Sequence, residues 1–206
     1  MNALDTDMTL GDLAAVMPGR PDGIALPKCA EAGQVRQLSL WLDAFEAAHG
    51  IAAGATRIIG IATETAASLF GLGGYAQAGP RLWGLMWGAE DLSASIGASE
   101  SRVGDLLHSP FRLARDLCLT GAAAAGVVAI DTVYVDIDNL AGLERETREA
   151  RRDGFGAKAV IHPKHVAVVN AAFTPSEAEL DWARRVVAAF AAAPDAGTLR
   201  MDGRML

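Results

Sequence analysis

The 206 residues carry 18 Lys and Arg against 25 Asp and Glu, a formal net charge of −7. That balance argues against nucleic acid as a general partner, because binding phosphates needs clustered positive charge. Hydrophobic residues at 51% and charged ones at 21% exclude a disordered chain and leave material for one sizeable core. No apolar run reaches the ~18 residues of a membrane span, and the acidic start MNALDTDMTLGD lacks a signal peptide's apolar centre. Cys29 and Cys118 are too few and too far apart for a disulfide scaffold or a structural zinc site. The expectation is a cytoplasmic α/β protein forming a single domain over residues 1–206, with no membrane partner.

Short β-type runs alternate with longer helical ones. Gly23–Leu26 (GIAL) reads as the first strand. A helical stripe of Val35, Leu38, Leu42 and Phe45 follows, closed by Gly50. Residues 57–62 (RIIGIA) and Leu82–Met86 (LWGLM) are the next two strands, and Gly88-Ala89-Glu90 reads as a tight turn from strand into helix. Phe111, Ala114, Leu117 and Gly121 form a second stripe, and GAAAAG at 121–126 reads as a helix end packed closely on a neighbour. After a strand at 129–135 (AIDTVYV), Leu143, Thr147 and Ala150 face inward while Glu144 and Arg148 can pair at i, i+4 outside. The last strand expected is 158–161 (KAVI). The last helix, 176–193, opens on the capping box Ser176…Glu179, carries Leu180, Ala183, Val187 and Phe190 as its apolar stripe, and leads into a tail at 194–206. Strand–helix units with short connections imply a parallel sheet, either doubly wound or a (β/α) barrel. Pattern alone leaves both open.

Two acids stand just past strand ends, where α/β enzymes keep their chemistry. Glu64 follows RIIGIAT, and Asp91 follows LWGLMWGAE. Carboxylates on consecutive strand ends could share a hard divalent cation; Mg²⁺ takes one or two carboxylates and completes its octahedron with water and substrate oxygens. Capping is the alternative, since both acids also stand at helix starts. The small residues of Gly88-Ala89-Glu90 leave backbone N–H groups for an anion such as a substrate carboxylate. Other features point to structure instead. His162 and His165 lack a third ligand nearby in sequence. Gly71, Gly73 and Ala76 mimic a dinucleotide loop but follow a helical segment where a strand is required. Asp131 in an apolar strand reads as a satisfied structural acid. Asp136 and Asp138 lack the glycine and terminal glutamate of a calcium loop. Cys29 and Cys118 sit in apolar-patterned segments, which favours packing over nucleophilic catalysis.

Four blocks, IATETAASLFGL, LWGLMWGAEDLSASIGA, ARDLCLTGAAAAGVVAIDTVYVD and GFGAKAVIHPKHVAVVNAAFTPS, together resemble the citrate lyase β-subunit-like group of the HpcH/HpaI aldolase superfamily, which includes malyl-CoA lyases and related CoA-ester lyases. The resemblance implies a (β/α)₈ TIM barrel assembled as trimers or dimers of trimers. It also implies Mg²⁺-dependent cleavage or formation of a carbon–carbon bond in a 3-hydroxyacyl-CoA thioester, giving an oxo acid and a short acyl-CoA. Glu64 in the TET block and Asp91 in the GAED block match the two metal-binding carboxylates. The backbone of Gly88, Ala89 and Glu90 matches the turn that holds the oxo-acid carboxylate. Lys28 in LPK and Pro163 in IHP match structural or substrate-side positions.

The departures lie at the ends, as though the chain were truncated at both. Five strands are recognisable, corresponding to the last five of eight, so the expectation is an incomplete barrel. Met1-Asn2-Ala3-Leu4 matches the tail of the third strand, while the first two strands and a substrate-contacting arginine have no counterpart. Gly203-Arg204-Met205-Leu206 matches a G-[KR]-M-[IL]-D pattern without its Asp, the base that in relatives reaches a neighbouring subunit's site. Asp202 matches a different position, so no catalytic base is assigned. Two other readings stay open at this point: a non-catalytic remnant acting through assembly, and an aldolase on free 2-oxo acids.

Overall fold

The structure, a computed structural model, describes residues 1–104 and 106–206. In chain order its elements are α1 (Thr9–Val16), β1 (Gly23–Leu26), α2 (Ala32–His49), β2 (Arg57–Ile61), β3 (Leu82–Met86), α3 (Glu90–Ile96) and a short pair, β4 (Arg102–Val103) with β5 (Leu106–Leu107). Then come α4 (Ser109–Ala125), β6 (Val128–Asp131), α5 (Leu140–Asp153), β7 (Ala157–Lys158), α6 (Pro163–Phe173), α7 (Glu177–Ala192), β8 (Arg200–Met201) and β9 (Arg204–Met205). Between β2 and β3 the chain makes two 3₁₀ segments, Ala67–Phe70 and Leu72–Gln77.

Five strands form one parallel sheet in the order β1-β2-β3-β6-β7. A doubly wound sheet reverses its order at a switch point; here the order follows the sequence from one edge to the other. Right-handed crossovers then place every connecting helix on the same face, as in a barrel wall. Burial agrees. Ile24, Leu26, Ile58, Leu85 and Ala129 join one core with Val35, Leu38, Leu42, Phe111, Ala114 and Cys118 of the helices. The opposite face is covered less: Ile59, Ile61 and Met86 are only partly buried, and Trp83 is 46% exposed. Trp83 is the extra residue where the β2–β3 register shifts, Ile58 facing Leu82 and Ile59 facing Gly84. The fold is an α/β barrel type with five parallel strands and an incomplete wall.

The helices follow their stripes. Val35, Leu38 and Leu42 of α2 are buried, and Gly50 closes the helix in the left-handed conformation at φ 62°. Along α4 the buried face runs through Phe111, Ala114, Cys118 and Gly121, with Leu117 only partly covered. A Cβ on Gly121 would stand 2.9 Å from the Leu72 carbonyl oxygen, so the close packing read from GAAAAG is present. Leu143, Thr147 and Ala150 of α5 are buried, and Arg148 pairs with Glu144 at 2.8 Å on the outside.

Three expectations need correction. The strand expected over 129–135 ends at Asp131, because Tyr134 leaves the sheet to pack with Leu143 and Val169 in a small second core. The strand expected at 158–161 is the shorter Ala157–Lys158. Residues 1–4 lie in no strand; Asn2 instead donates its backbone and side-chain N–H groups to Asp12 at 2.6 and 2.9 Å. Helix α7 carries both halves of its capping box but buries none of its residues, and Val187 is 69% exposed. No helix among the described residues is long and apolar enough to cross a membrane.

Candidate metal and substrate site

The site grows out of the C-terminal ends of β1, β2 and β3. Parallel pairing continues one residue past β2, where the Ala62 N–H donates to the Met86 carbonyl at 2.8 Å, and the Cys29 N–H donates to the Ile61 carbonyl at 3.1 Å. These bonds bring Pro27–Cys29, Thr63–Glu64 and Trp87–Asp91 to one rim. Lys28 takes a left-handed backbone, φ 50°, uncommon for a residue with a side chain and found mostly where surroundings enforce it. Its N–H donates to Glu64 Oε2.

Glu64 and Asp91 converge. Asp91, in the first turn of α3, brings its carboxyl within hydrogen-bonding reach of the half-buried Glu64. One turn on, Ser95 Oγ accepts from the Ala66 N–H at 2.9 Å, so the i, i+4 face of α3 rests against the loop that bears Glu64. Neither acid accepts a helix N-cap bond: Ala89 is the N-cap of α3 without a side-chain bond, and the turn after Glu64 is closed by Thr65 Oγ1 accepting from the Ser68 N–H at 3.2 Å. Burial raises the affinity of Glu64 for a proton, and the neighbouring Asp91 raises it further, against the opposing Lys28 amide. Two crowded carboxyls at a half-open rim suit a hard divalent cation. Among the described residues no group of three or more His, Cys, Asp or Glu forms a metal cluster, and a two-carboxylate set fits an ion that keeps waters and substrate oxygens in its shell.

The turn carrying Asp91 touches Glu64 through Gly88. A Cβ on Gly88 would lie 3.1 Å from Glu64 Cγ and 3.3 Å from Ile61 Cγ2. The Gly88 N–H, expected to face an anion, donates to Thr63 Oγ1 at 2.9 Å. The same hydroxyl reaches back to the Gly88 carbonyl at 3.3 Å. The neighbouring amides of Ala89 and Glu90 open α3.

Trp87, just before this turn, is buried and donates from Nε1 to Asp131 Oδ1 at 2.6 Å. Asp131 is fully buried, held by Lys158 Nζ at 2.8 Å and Arg115 Nε at 3.3 Å. Burial alone would raise its carboxyl, but the two cations outweigh that and hold it below the usual range. It is the satisfied structural acid the sequence pointed to. Its partners could not be read from spacing, because Lys158 lies 27 residues away and Trp87 lies 44.

The remaining features stay outside the site. His162 and His165 have ring centroids 6.1 Å apart, and His165 is buried with Nε2 against the Ile137 carbonyl at 3.2 Å. Asp138 pairs with Lys164 at 2.9 Å. Gly71 packs under the Ala30 carbonyl at the junction of the two 3₁₀ segments instead of forming a nucleotide loop. Burial pushes the Cys29 thiol up to about 11 and the Cys118 thiol up to about 12, so neither supplies a thiolate nucleophile at neutral pH. Asp202 pairs with Arg185 at 2.7 Å in the β8–β9 turn. A cavity of about 460 Å³ lies away from the acids, between α4 and α5, and is lined by Trp87, Leu107, Arg115, Glu146 and Asp153 among others.

Comparison with known proteins shows the family. The chain is 35% identical over 207 residues to the citrate lyase subunit beta-like protein of Mycobacterium tuberculosis (strain ATCC 25618 / H37Rv), covering 100% of this chain and 69% of the relative. It is 34% identical to citrate lyase subunit beta of Escherichia coli (strain K12), covering 100% of this chain and 67% of that protein. The crystal structure of protein CitE from Mycobacterium tuberculosis in complex with magnesium, acetoacetate and coenzyme A superposes with a TM-score of 0.75 at 34% identity, covering 100% of this chain and 70% of that one. A family model, HpcH/HpaI aldolase/citrate lyase, matches residues 1–163. The chain belongs to the HpcH/HpaI aldolase/citrate lyase family, a family of lyases.

Proposed function

We propose that this chain is a Mg²⁺-dependent carbon–carbon lyase acting on a 3-hydroxyacyl-CoA thioester and releasing an oxo acid and a short acyl-CoA. The observation that carries this reading is the convergence of Glu64 and Asp91 at the rim of one parallel sheet. Their carboxylates would hold the magnesium, which when bound supplies Lewis acidity and a template for substrate oxygens. The related solved structure holding magnesium, acetoacetate and coenzyme A supports the choice of cation and substrate class.

The chain's own residues have definable tasks in this reading. The Lys28 N–H fixes one oxygen of Glu64. The turn Gly88-Ala89-Glu90 presents backbone to the oxo-acid carboxylate, with the Ala89 and Glu90 amides as donors and Gly88 giving the room that a side chain would fill. Cleavage also requires removal of the substrate hydroxyl proton, a role this reading assigns to no residue. Homo-oligomerisation, as a trimer or a dimer of trimers, belongs to the same proposal.

Calorimetric titration of Mg²⁺ into the parent chain, Glu64→Ala and Asp91→Ala tests the site. Binding is expected in the parent and lost in both variants; unchanged binding in both overturns it. Incubation with malyl-CoA or citramalyl-CoA tests the reaction. Paired release of an oxo acid and an acyl-CoA is expected, whereas free CoA without an oxo acid would indicate thioester hydrolysis instead. Pyruvate released only from free hydroxy-oxo acids would indicate an aldolase.

A further inference from the structure

We propose that Thr63 is a positioning residue that sets the separation of Glu64 and Asp91. The inference rests on the metal-site reading above. Thr63 follows β2 and is fully buried, so its hydroxyl must find partners within the protein. It finds both on one residue of the next strand end: Oγ1 accepts from the Gly88 N–H at 2.9 Å and lies 3.3 Å from the Gly88 carbonyl oxygen. Regular pairing between these strands ends with Ala62 and Met86. Beyond that point the Thr63 hydroxyl takes over the stitching, joining the residue just before Glu64 to Gly88, three residues before Asp91.

The consequence is geometric. Glu64 is held from the β1 side by the Lys28 amide. Asp91 rides on a turn whose first residue is latched to Thr63, and Gly88 abuts the Glu64 side chain. A cation bridging two carboxylates is sensitive to displacements of a few tenths of an ångström. Removing the hydroxyl leaves a buried N–H without a partner and frees the turn to shift. Valine keeps the shape of threonine without the donor and acceptor; serine keeps the hydroxyl without the methyl.

The test compares the parent chain with Thr63→Val, Thr63→Ala and Thr63→Ser, so that alanine stands in should valine fail to fold. Mg²⁺ affinity is read by calorimetry, and exchange of the Gly88 amide by NMR in metal-free buffer. We expect Thr63→Ser to bind Mg²⁺ within about threefold of the parent, with the Gly88 amide protected. Valine or alanine is expected to weaken binding at least about tenfold and to expose that amide to exchange, in protein that retains its thermal transition. Folded valine or alanine variants with parental Mg²⁺ affinity overturn the assignment of Thr63 while leaving the metal site intact. A parent chain that binds no Mg²⁺ overturns the metal site and this inference with it, even if the Gly88 amide still responds to substitution.

Discussion

The position of Glu64 and Asp91 past strand ends was legible because a strand's end is marked by its own composition: an apolar run stops and an acid follows within a few residues. What holds them was not legible. Lys28 and Thr63 act through partners 36 and 25 residues away, and no local pattern encodes such a pairing. Gly88 sits between these cases, since a turn glycine is readable but the side chain it makes room for is not. Its contact yields a prediction at the scale of one methyl group. In Gly88→Ala the new Cβ would meet Glu64 Cγ at 3.1 Å and Ile61 Cγ2 at 3.3 Å, closer than ordinary van der Waals contact. The Glu64 side chain, though held by the Lys28 amide, should give way before the strand backbone does. Mg²⁺ affinity is therefore expected to fall several-fold, while thermal stability falls by no more than about 1 kcal/mol. Calorimetry and a melting curve on the same preparation check both.

Elements differ in what their sequences reveal. The capping box of α7 involves residues three apart, so Ser176 and Glu179 disclosed it directly. Whether that helix buries its stripe depends on the rest of the fold, and here none of its residues is buried. Ser176→Ala should accordingly weaken the helix start by about 1 kcal/mol. With no core contacts to transmit the loss, faster hydrogen exchange in the first turn of α7 should appear with an unchanged main unfolding transition. Helix α4 is the opposite case. Gly121 lets it settle onto the Leu72 carbonyl, where a Cβ would lie at 2.9 Å from backbone oxygen. Backbone cannot step aside as a flexible side chain does, so Gly121→Ala is expected to cost about 1–3 kcal/mol despite alanine's higher helix propensity. Chemical denaturation would measure it. A gain in stability would show that α4 can slide along the 3₁₀ segment Leu72–Gln77.

For the whole molecule, hydrophobic periodicity found the five parallel strands, and their order then separated barrel from doubly wound sheet. Polar wiring between layers stayed hidden, and one piece of it governs stability in acid. Glu46 occupies the core-facing side of α2, where the stripe suggested only apolar residues. It accepts from Arg81 Nη1 at 2.7 Å and from the Thr56 and Gly54 N–H groups at 2.8 Å each, while Arg81 also reaches Asp43 and the Thr56 carbonyl. One buried carboxylate thus ties α2 to the entry of β2 and, through Arg81, to the entry of β3. Hydrogen bonding from Arg81, chiefly, holds the Glu46 carboxyl at about 2, against 4.5 in an unstructured chain. A carboxyl lowered in the folded state binds protons more readily when unfolded, so its contribution is complete above about 4.5 and drains away as the pH falls toward about 2. Glu46→Gln should destabilise the protein at neutral pH by about 3–5 kcal/mol, because Arg81 keeps its charge in a buried setting without its main partner. The same substitution should flatten the acid limb of the stability curve, the gap between variant and parent narrowing as the pH drops from 4.5 toward 2. Urea denaturation across that range checks the sign; a gap that stays constant would mean that Glu46 stabilises the fold by packing and not through its charge.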